Sequence, residues 1–281
     1  MSASQLAAPT RPMLDGNEIP LLGFGTWPLD DDAAFAAVAA ALRNGYRLVD
    51  TAARYGNETG VGRAIAASGL PRSEVFVTTK LRGAQHGYDA TVAGLDESLA
   101  RLGLDHVDLY LIHWPLPGTG LYVDTWRALI DLQAVGKVRS IGVSNFTARH
   151  IETLVESTGV LPVVNQIELH PDFAQPEMRA WHDARGIVTE AWSPLGGHSD
   201  ILSHPVIAAI AAGHGRTPAQ VVLRWHVQLS AVPIPKSADP ERMRQNLAAF
   251  DFELGADEMD ALAGIDRGNR LGGDPDTNVE L

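Results

Sequence analysis

Val75-Phe-Val-Thr-Thr-Lys80 and Val107-Asp-Leu-Tyr-Leu-Ile-His113 decide how this chain folds. Each is a short run dense in β-branched and large apolar side chains, and each closes on one titratable residue. A strand buried on both faces reads this way, without the polar alternation of a half-exposed one. Between the two runs, residues 89–101 carry apolar side chains at helical spacing. The unit is strand, helix, parallel strand.

The same unit recurs in both directions along the chain. Further strands are expected at residues 21–25, 47–50, 140–143, 163–168, 187–191 and 231–234. Helical stretches are expected at 31–43, 58–67, 122–135, 148–157 and 175–185. A pair at 205–212 and 218–229 precedes the last strand, and 239–248 follows it. Residues 13–20 read as a small hairpin turning at Asp15-Gly16, a pair suited to a type I′ turn. Eight β–α units predict an α/β fold, a closed (β/α)8 TIM barrel; a doubly wound open sheet is the alternative. No linker, low-complexity tract or short repeat interrupts the pattern, so residues 1–281 read as one domain. Residues 1–12 are expected to be flexible, and 264–281 to form a short C-terminal tail near the face where barrel active sites lie.

Composition narrows the partners. Against 22 basic residues stand 34 acidic ones, a formal charge of −12, which disfavours nucleic acid and anionic membrane surfaces. With no cysteine, disulfides, thiolate metal sites and a cysteine nucleophile are excluded. No apolar run approaches the ~20 residues that span a bilayer, and no signal-peptide pattern opens the chain. A cytoplasmic protein is expected.

Reactive residues of a barrel gather at the C-terminal ends of its strands. There stand Asp50, Lys80 and His113, with Tyr55 five positions beyond Asp50. Singly, each is an ordinary cap, ion pair or packing residue. Together they form a proton relay. A lysine cation lowers the high pKa of a tyrosine, an aspartate keeps a buried lysine charged, and a histidine orients a substrate oxygen. Such a set can protonate an alkoxide forming from a carbonyl, but it supplies no electrons, so a nicotinamide hydride donor is implied. The Rossmann fingerprint is absent: Gly60-Val-Gly62 and Gly23-Phe-Gly25 both lack the third glycine and read as turn or packing glycines. Ser144, Asn145 and Gln166 offer groups for a carboxamide, and Trp192 an indole face for a ring. Lys236-Ser237, with Arg242, Gln245 and Asn246 beyond, is the local basic patch that a phosphorylated ligand requires of an acidic protein.

In this order, these motifs resemble the aldo-keto reductase superfamily. They are Gly23-Phe-Gly25-Thr26-Trp27, Asp50 through Tyr55-Gly-Asn-Glu58, Thr79-Lys80, Leu111-Ile-His113-Trp-Pro, Gly142-Val-Ser-Asn145, Asn165-Gln166, Ser193-Pro-Leu-Gly196 and Ile234-Pro-Lys-Ser237. Trp192 and the tail Asp266-Arg-Gly-Asn-Arg-Leu-Gly-Gly-Asp-Pro-Asp276 are similar to the bacterial branch of 2,5-diketo-D-gluconate reductases. The resemblance implies a barrel with an N-terminal β-hairpin plug, and NADPH extended across the C-terminal face. It implies Tyr55 as general acid, Lys80 and Asp50 as its tuners and His113 as substrate orienter. Ser144, Asn145 and Gln166 go to the carboxamide, Trp192 to the nicotinamide ring, and Ser193, Leu195 and Gly196 to the pyrophosphate. Thr26 joins the cofactor contacts. Lys236, Ser237 and Arg242 go to the 2′-phosphate, with Gln245 and Asn246 near adenine.

Trp27 and Trp114 are expected in the substrate pocket, with Arg82 standing where the family usually has tryptophan. The short segments around this pocket suit small aldehydes, α-dicarbonyls and keto-sugars acted on by a monomer. Two rivals remain: a barrel that only binds the dinucleotide, and a metal-dependent hydrolase. The second needs clustered ligands, whereas His170-Pro171 and His204-Pro205 read as capping turns and no metal site is expected.

Overall fold

The computed structural model describes residues 8–280. Eight strands form one parallel sheet in chain order: β3 (Gly23–Gly25), β4 (Leu48–Asp50), β5 (Phe76–Leu81), β6 (Val107–Ile112), β7 (Val138–Ser144), β8 (Val164–Glu168), β9 (Val188–Trp192) and β10 (Val232–Pro233). The two edges meet where Gly25 N–H donates to the Pro235 carbonyl at 3.1 Å. Gly23 makes that approach possible, since a Cβ there would lie 2.6 Å from Ile234 Cγ2. The result is a nearly closed TIM barrel. β10 has only two ladder residues because proline at 233 lacks a donor.

Helices α1 (Asp31–Arg43), α2 (Glu58–Ala67), α3 (Tyr88–Leu102), α4 (Tyr122–Ala134), α5 (Ala148–Thr158) and α6 (Pro176–Asp183) follow successive strands. α7 (Pro205–His214) and α8 (Pro218–Gln228) precede β10, and α9 (Pro240–Leu247) follows it. One helix, α10 (Ala256–Ala263), has no counterpart among the expected elements. Its eight residues bury only Leu262, so no apolar stripe announces it. Gly60 and Gly62 are packing glycines: a Cβ would lie 1.9 Å from the Asp31 carbonyl oxygen and 2.0 Å from that of Leu102. No helix among the described residues is long and apolar enough to cross a membrane.

The strands divide their side chains by a period of two. Leu48, Leu109, Leu111, Val164, Val188 and Val232 fill the lower barrel interior, while Val49, Tyr110 and Ile112 pack outward under the helices. An antiparallel hairpin, β1 (Thr10–Pro12) with β2 (Glu18–Pro20), seals that lower end by adding Met13 and Ile19 to the same cluster. Two expectations are corrected here. Of the arm expected to be flexible, residues 1–7 lie outside the described residues, but Thr10–Pro12 pair with β2. The hairpin does not turn through type I′, because of the pair Asp15-Gly16 only Gly16 is left-handed, at φ 84°. Instead Gly16 N–H bonds the Met13 carbonyl and Met13 N–H the Asn17 carbonyl, a tight turn closed by one left-handed glycine.

Candidate active site

Two residues further up each strand, the same inward period changes character. Asp50 follows Leu48, Gln166 follows Val164 and Glu190 follows Val188, so an apolar barrel floor carries a polar layer on top. In that layer the Lys80 ammonium is fully buried and uses all three protons. It donates to Asp50 Oδ1 at 2.6 Å, the Thr51 carbonyl at 3.0 Å and the Tyr55 hydroxyl at 3.3 Å. Burial pulls the lysine pKa down, but chiefly the charge of Asp50 and the hydrogen bond to it outweigh burial and leave Lys80 more basic than usual.

Tyr55 ends a one-turn 3-10 helix, Ala53–Tyr55, and Gly56 beyond it is left-handed at φ 67°. The following Asn-Glu pair pins this turn. Asn57 accepts from Thr51 Oγ1 at 2.7 Å and donates to the Leu29 carbonyl at 2.9 Å, while Glu58 accepts from Thr79 Oγ1 at 2.6 Å. Trp27, 56% exposed, lies 5.1 Å from the Tyr55 ring, and His113 stands edge-on at 5.8 Å. The expected depression of the tyrosine pKa does not appear in the balance. Burial raises it more than the Lys80 charge lowers it, so Tyr55 holds its proton. Burial also lowers the His113 pKa, against the opposing pull of Glu280.

The residues expected at the carboxamide join the same web. Gln166 Nε2 donates to Asp50 Oδ2 at 2.8 Å and to Glu190 Oε2 at 2.7 Å. Ser144 Oγ donates to the Gln166 carbonyl, and Asn145, left-handed at φ 62°, donates to Ser144 Oγ and the His113 carbonyl. Trp192 closes the web by donating its indole N–H to Asn145 Oδ1 at 2.8 Å. Thr26 is buried, its hydroxyl bonded to the Asp50 carbonyl. Ser193, left-handed at φ 49°, and Leu195 are half-buried, and Gly196 is buried, in the turn after β9.

The basic patch divides. Lys236 and Arg242 are exposed, Ser237 bonds Asp239 around the start of α9, and Gln245 donates to Glu241. Asn246 turns inward beside the Tyr46 hydroxyl. Arg82 is exposed beyond β5, and Trp114 lies against the tail at Gly273. His204 caps α7 through Nδ1, as a capping turn should, but His170 does something else. Its Nε2 faces Glu168 at 2.9 Å and its Nδ1 faces Asp172 at 2.6 Å. Those carboxylates hold the tail: Glu168 accepts from Leu271 and Gly272 N–H, and Asp172 from Asn269. Among the described residues no group of three or more His, Asp or Glu is placed to hold a metal ion.

Two carboxylates here escape sequence reasoning. Glu190 has a signal that can be used: it sits on the inward phase of β9, paired in register with Gln166. Glu280 has none, because nothing local predicts where the tail returns. Burial and then the Asp50 charge raise the Glu190 pKa to about 8. Between about pH 5 and 8 the unfolded chain releases this proton while the folded chain keeps it, so folding stability falls as pH rises. Glu190→Gln is expected to flatten that slope, which is at most about 1.4 kcal/mol per pH unit. Urea unfolding at both ends of the window measures it; identical slopes would show an ionised Glu190.

A model of the Aldo/keto reductase family matches residues 21–267. An aldo-keto reductase of Mycolicibacterium smegmatis is 54% identical over 263 residues, covering 94% of this chain and 95% of that protein. The 2,5-diketo-D-gluconic acid reductase B of a Corynebacterium species is 52% identical over 273 residues, covering 97% and 99%. The crystal structure of a Gox0644 variant in complex with NADPH superposes with TM-score 0.93 at 46% identity, covering 97% of this chain and 99% of that one. Matches of this length and identity leave one assignment: the chain belongs to the aldo/keto reductase family of oxidoreductases.

Proposed function

We propose that this protein is an NADPH-dependent carbonyl reductase, acting as one domain on small aldehydes, α-dicarbonyls or keto-sugars. The observation that carries the reading is the Asp50–Lys80–Tyr55 chain beside His113, with Tyr55 holding its proton. The residues present also fit a dinucleotide. Trp192 keeps a partly open indole, and the turn after it has exposed Gly197 in left-handed backbone at φ 57°. Exposed Lys236 and Arg242 lie beyond β10 for a phosphate.

NADPH, when bound, supplies the hydride. Tyr55 donates its proton to the carbonyl oxygen as negative charge develops there. Lys80 steadies the phenolate left behind, Asp50 keeps Lys80 charged, and His113 orients the oxygen. Ser144, Asn145 and Gln166 bind the carboxamide side, and Ser193, Leu195, Gly196 and Thr26 line the rest of the dinucleotide path. The test is loss of NADPH absorbance with methylglyoxal; a protein that binds NADPH without consuming it overturns the reading.

Trp192 reports the same site. Titration with NADPH should quench tryptophan fluorescence, and Trp192→Ala should remove most of that quench. A full quench in the variant would show that the indole does not meet the ring.

A further inference from the structure

Glu280 brings a carboxylate to the reaction centre from the far end of the fold. Its side chain is 3% exposed, with Oε1 2.7 Å from His113 Nδ1 and 3.4 Å from Arg54 Nε. Among the described residues, neither Glu280 oxygen has a hydrogen-bond partner of ordinary geometry. His86, buried nearby and within reach of the Glu280 charge, also has no hydrogen-bond partner for either ring nitrogen among the described residues. A charge seated here acts strongly on any charged group brought beside it, because little solvent lies between them to screen it.

The tail is built to deliver it. Glu168 and Asp172, joined through His170, fix residues 269–272. Gly272 then passes the Trp192 edge, where a Cβ would lie 2.4 Å from Cη2, and Gly273 passes Trp114. Asp276 meets His150 at 3.2 Å. Gly83 receives the last step: a Cβ there would lie 2.2 Å from the Glu280 carbonyl oxygen, so only glycine admits this backbone.

We propose that Glu280 is a specificity-determining residue: its carboxylate occupies the corner between the Arg54 guanidinium and His113, and so disfavours substrates with a carboxylate near the reacting carbonyl. Uncharged carbonyl compounds are then the preferred class. An anionic substrate approaching Tyr55 and His113 meets a like charge already seated there, on a buried side chain whose charge is weakly screened. The Arg54 charge that would attract it is already matched. The inference rests on Tyr55 and His113 marking the reduction centre.

The test compares 4-carboxybenzaldehyde with 4-nitrobenzaldehyde in wild type and Glu280→Gln, which keeps shape and removes charge. The ratio of kcat/KM, anionic over neutral, should rise about fivefold or more in the variant, carried by KM for the anionic aldehyde. A smaller rise, or one carried by kcat alone, overturns the proposal. Should that variant fail to fold, Gly83→Ala displaces the same segment and must raise the ratio in the same direction. Tyr55→Phe run alongside separates the two readings. If it still reduces 4-nitrobenzaldehyde, the reduction centre is misassigned; if it is inactive while the Glu280→Gln ratio stays put, only the role of Glu280 falls.

Discussion

Tyr55→Phe is expected to lower turnover by at least about 10²-fold, the lower range for removing a general acid, while NADPH affinity stays nearly unchanged. The substitution deletes one oxygen. The ring contacts with Trp27 and His113 remain, so the pocket keeps its walls. Lys80 loses one acceptor but keeps Asp50 and the Thr51 carbonyl, so no unpaired buried charge is created. The loss therefore falls on the step in which the oxygen becomes negative, a transition-state effect that lowers kcat and kcat/KM together. Stopped-flow or steady-state NADPH oxidation with methylglyoxal measures it. A variant near the wild-type rate would remove Tyr55 from the role of acid.

Arg242→Ala is expected to weaken NADPH binding by about 10–100-fold and to leave NADH almost unchanged, from the roughly 1.5–3 kcal/mol of a charge-assisted hydrogen bond. The cofactors differ by one phosphate, so the discrimination must come from groups that meet it. Arg242 is 75% exposed near the start of α9, with Asp239 3.8 Å away as a loose partner. Its guanidinium can turn to a phosphate at small cost, and its removal leaves no buried group unpaired. The −12 body of the protein repels the same phosphate, so rising salt should weaken NADPH more than NADH only to the extent that Arg242 and Lys236 hold it. Fluorescence titration with both cofactors decides the matter. Equal losses for the two would place the 2′-phosphate elsewhere.

Much of this was legible in the chain, and the exceptions have physical reasons. Strands buried on both faces leave dense apolar runs, so all eight barrel strands were readable to within a few residues. β10, expected over 231–234, forms one residue shorter at each end, because Pro233 cuts its ladder to two residues. α10 was invisible, since an eight-residue helix that buries only Leu262 and is held by contact with α7 has no apolar stripe. The hairpin was placed, but the Asp15-Gly16 pair suggested the wrong turn: the strands end earlier than the dipeptide implied.

The sequence by itself determined the barrel and the order of residues at its strand ends. Both follow from local quantities: a period of two, a strand length, and the rule that every parallel strand ends on the same face. Asp50, Lys80, His113 and Gln166 converge because chain order is barrel order. Only the tertiary structure decided the balance of charge among them. It set burial above the Lys80 charge at Tyr55, and it put Glu190 against Gln166 close to Asp50. It also tied Leu271 to a carboxylate 103 positions away, and seated Glu280 beside His113. Those outcomes depend on which groups share a dry volume after the barrel closes and the tail folds over it. Electrostatic energy there varies with distance and solvent access, neither of which any local pattern of residues records.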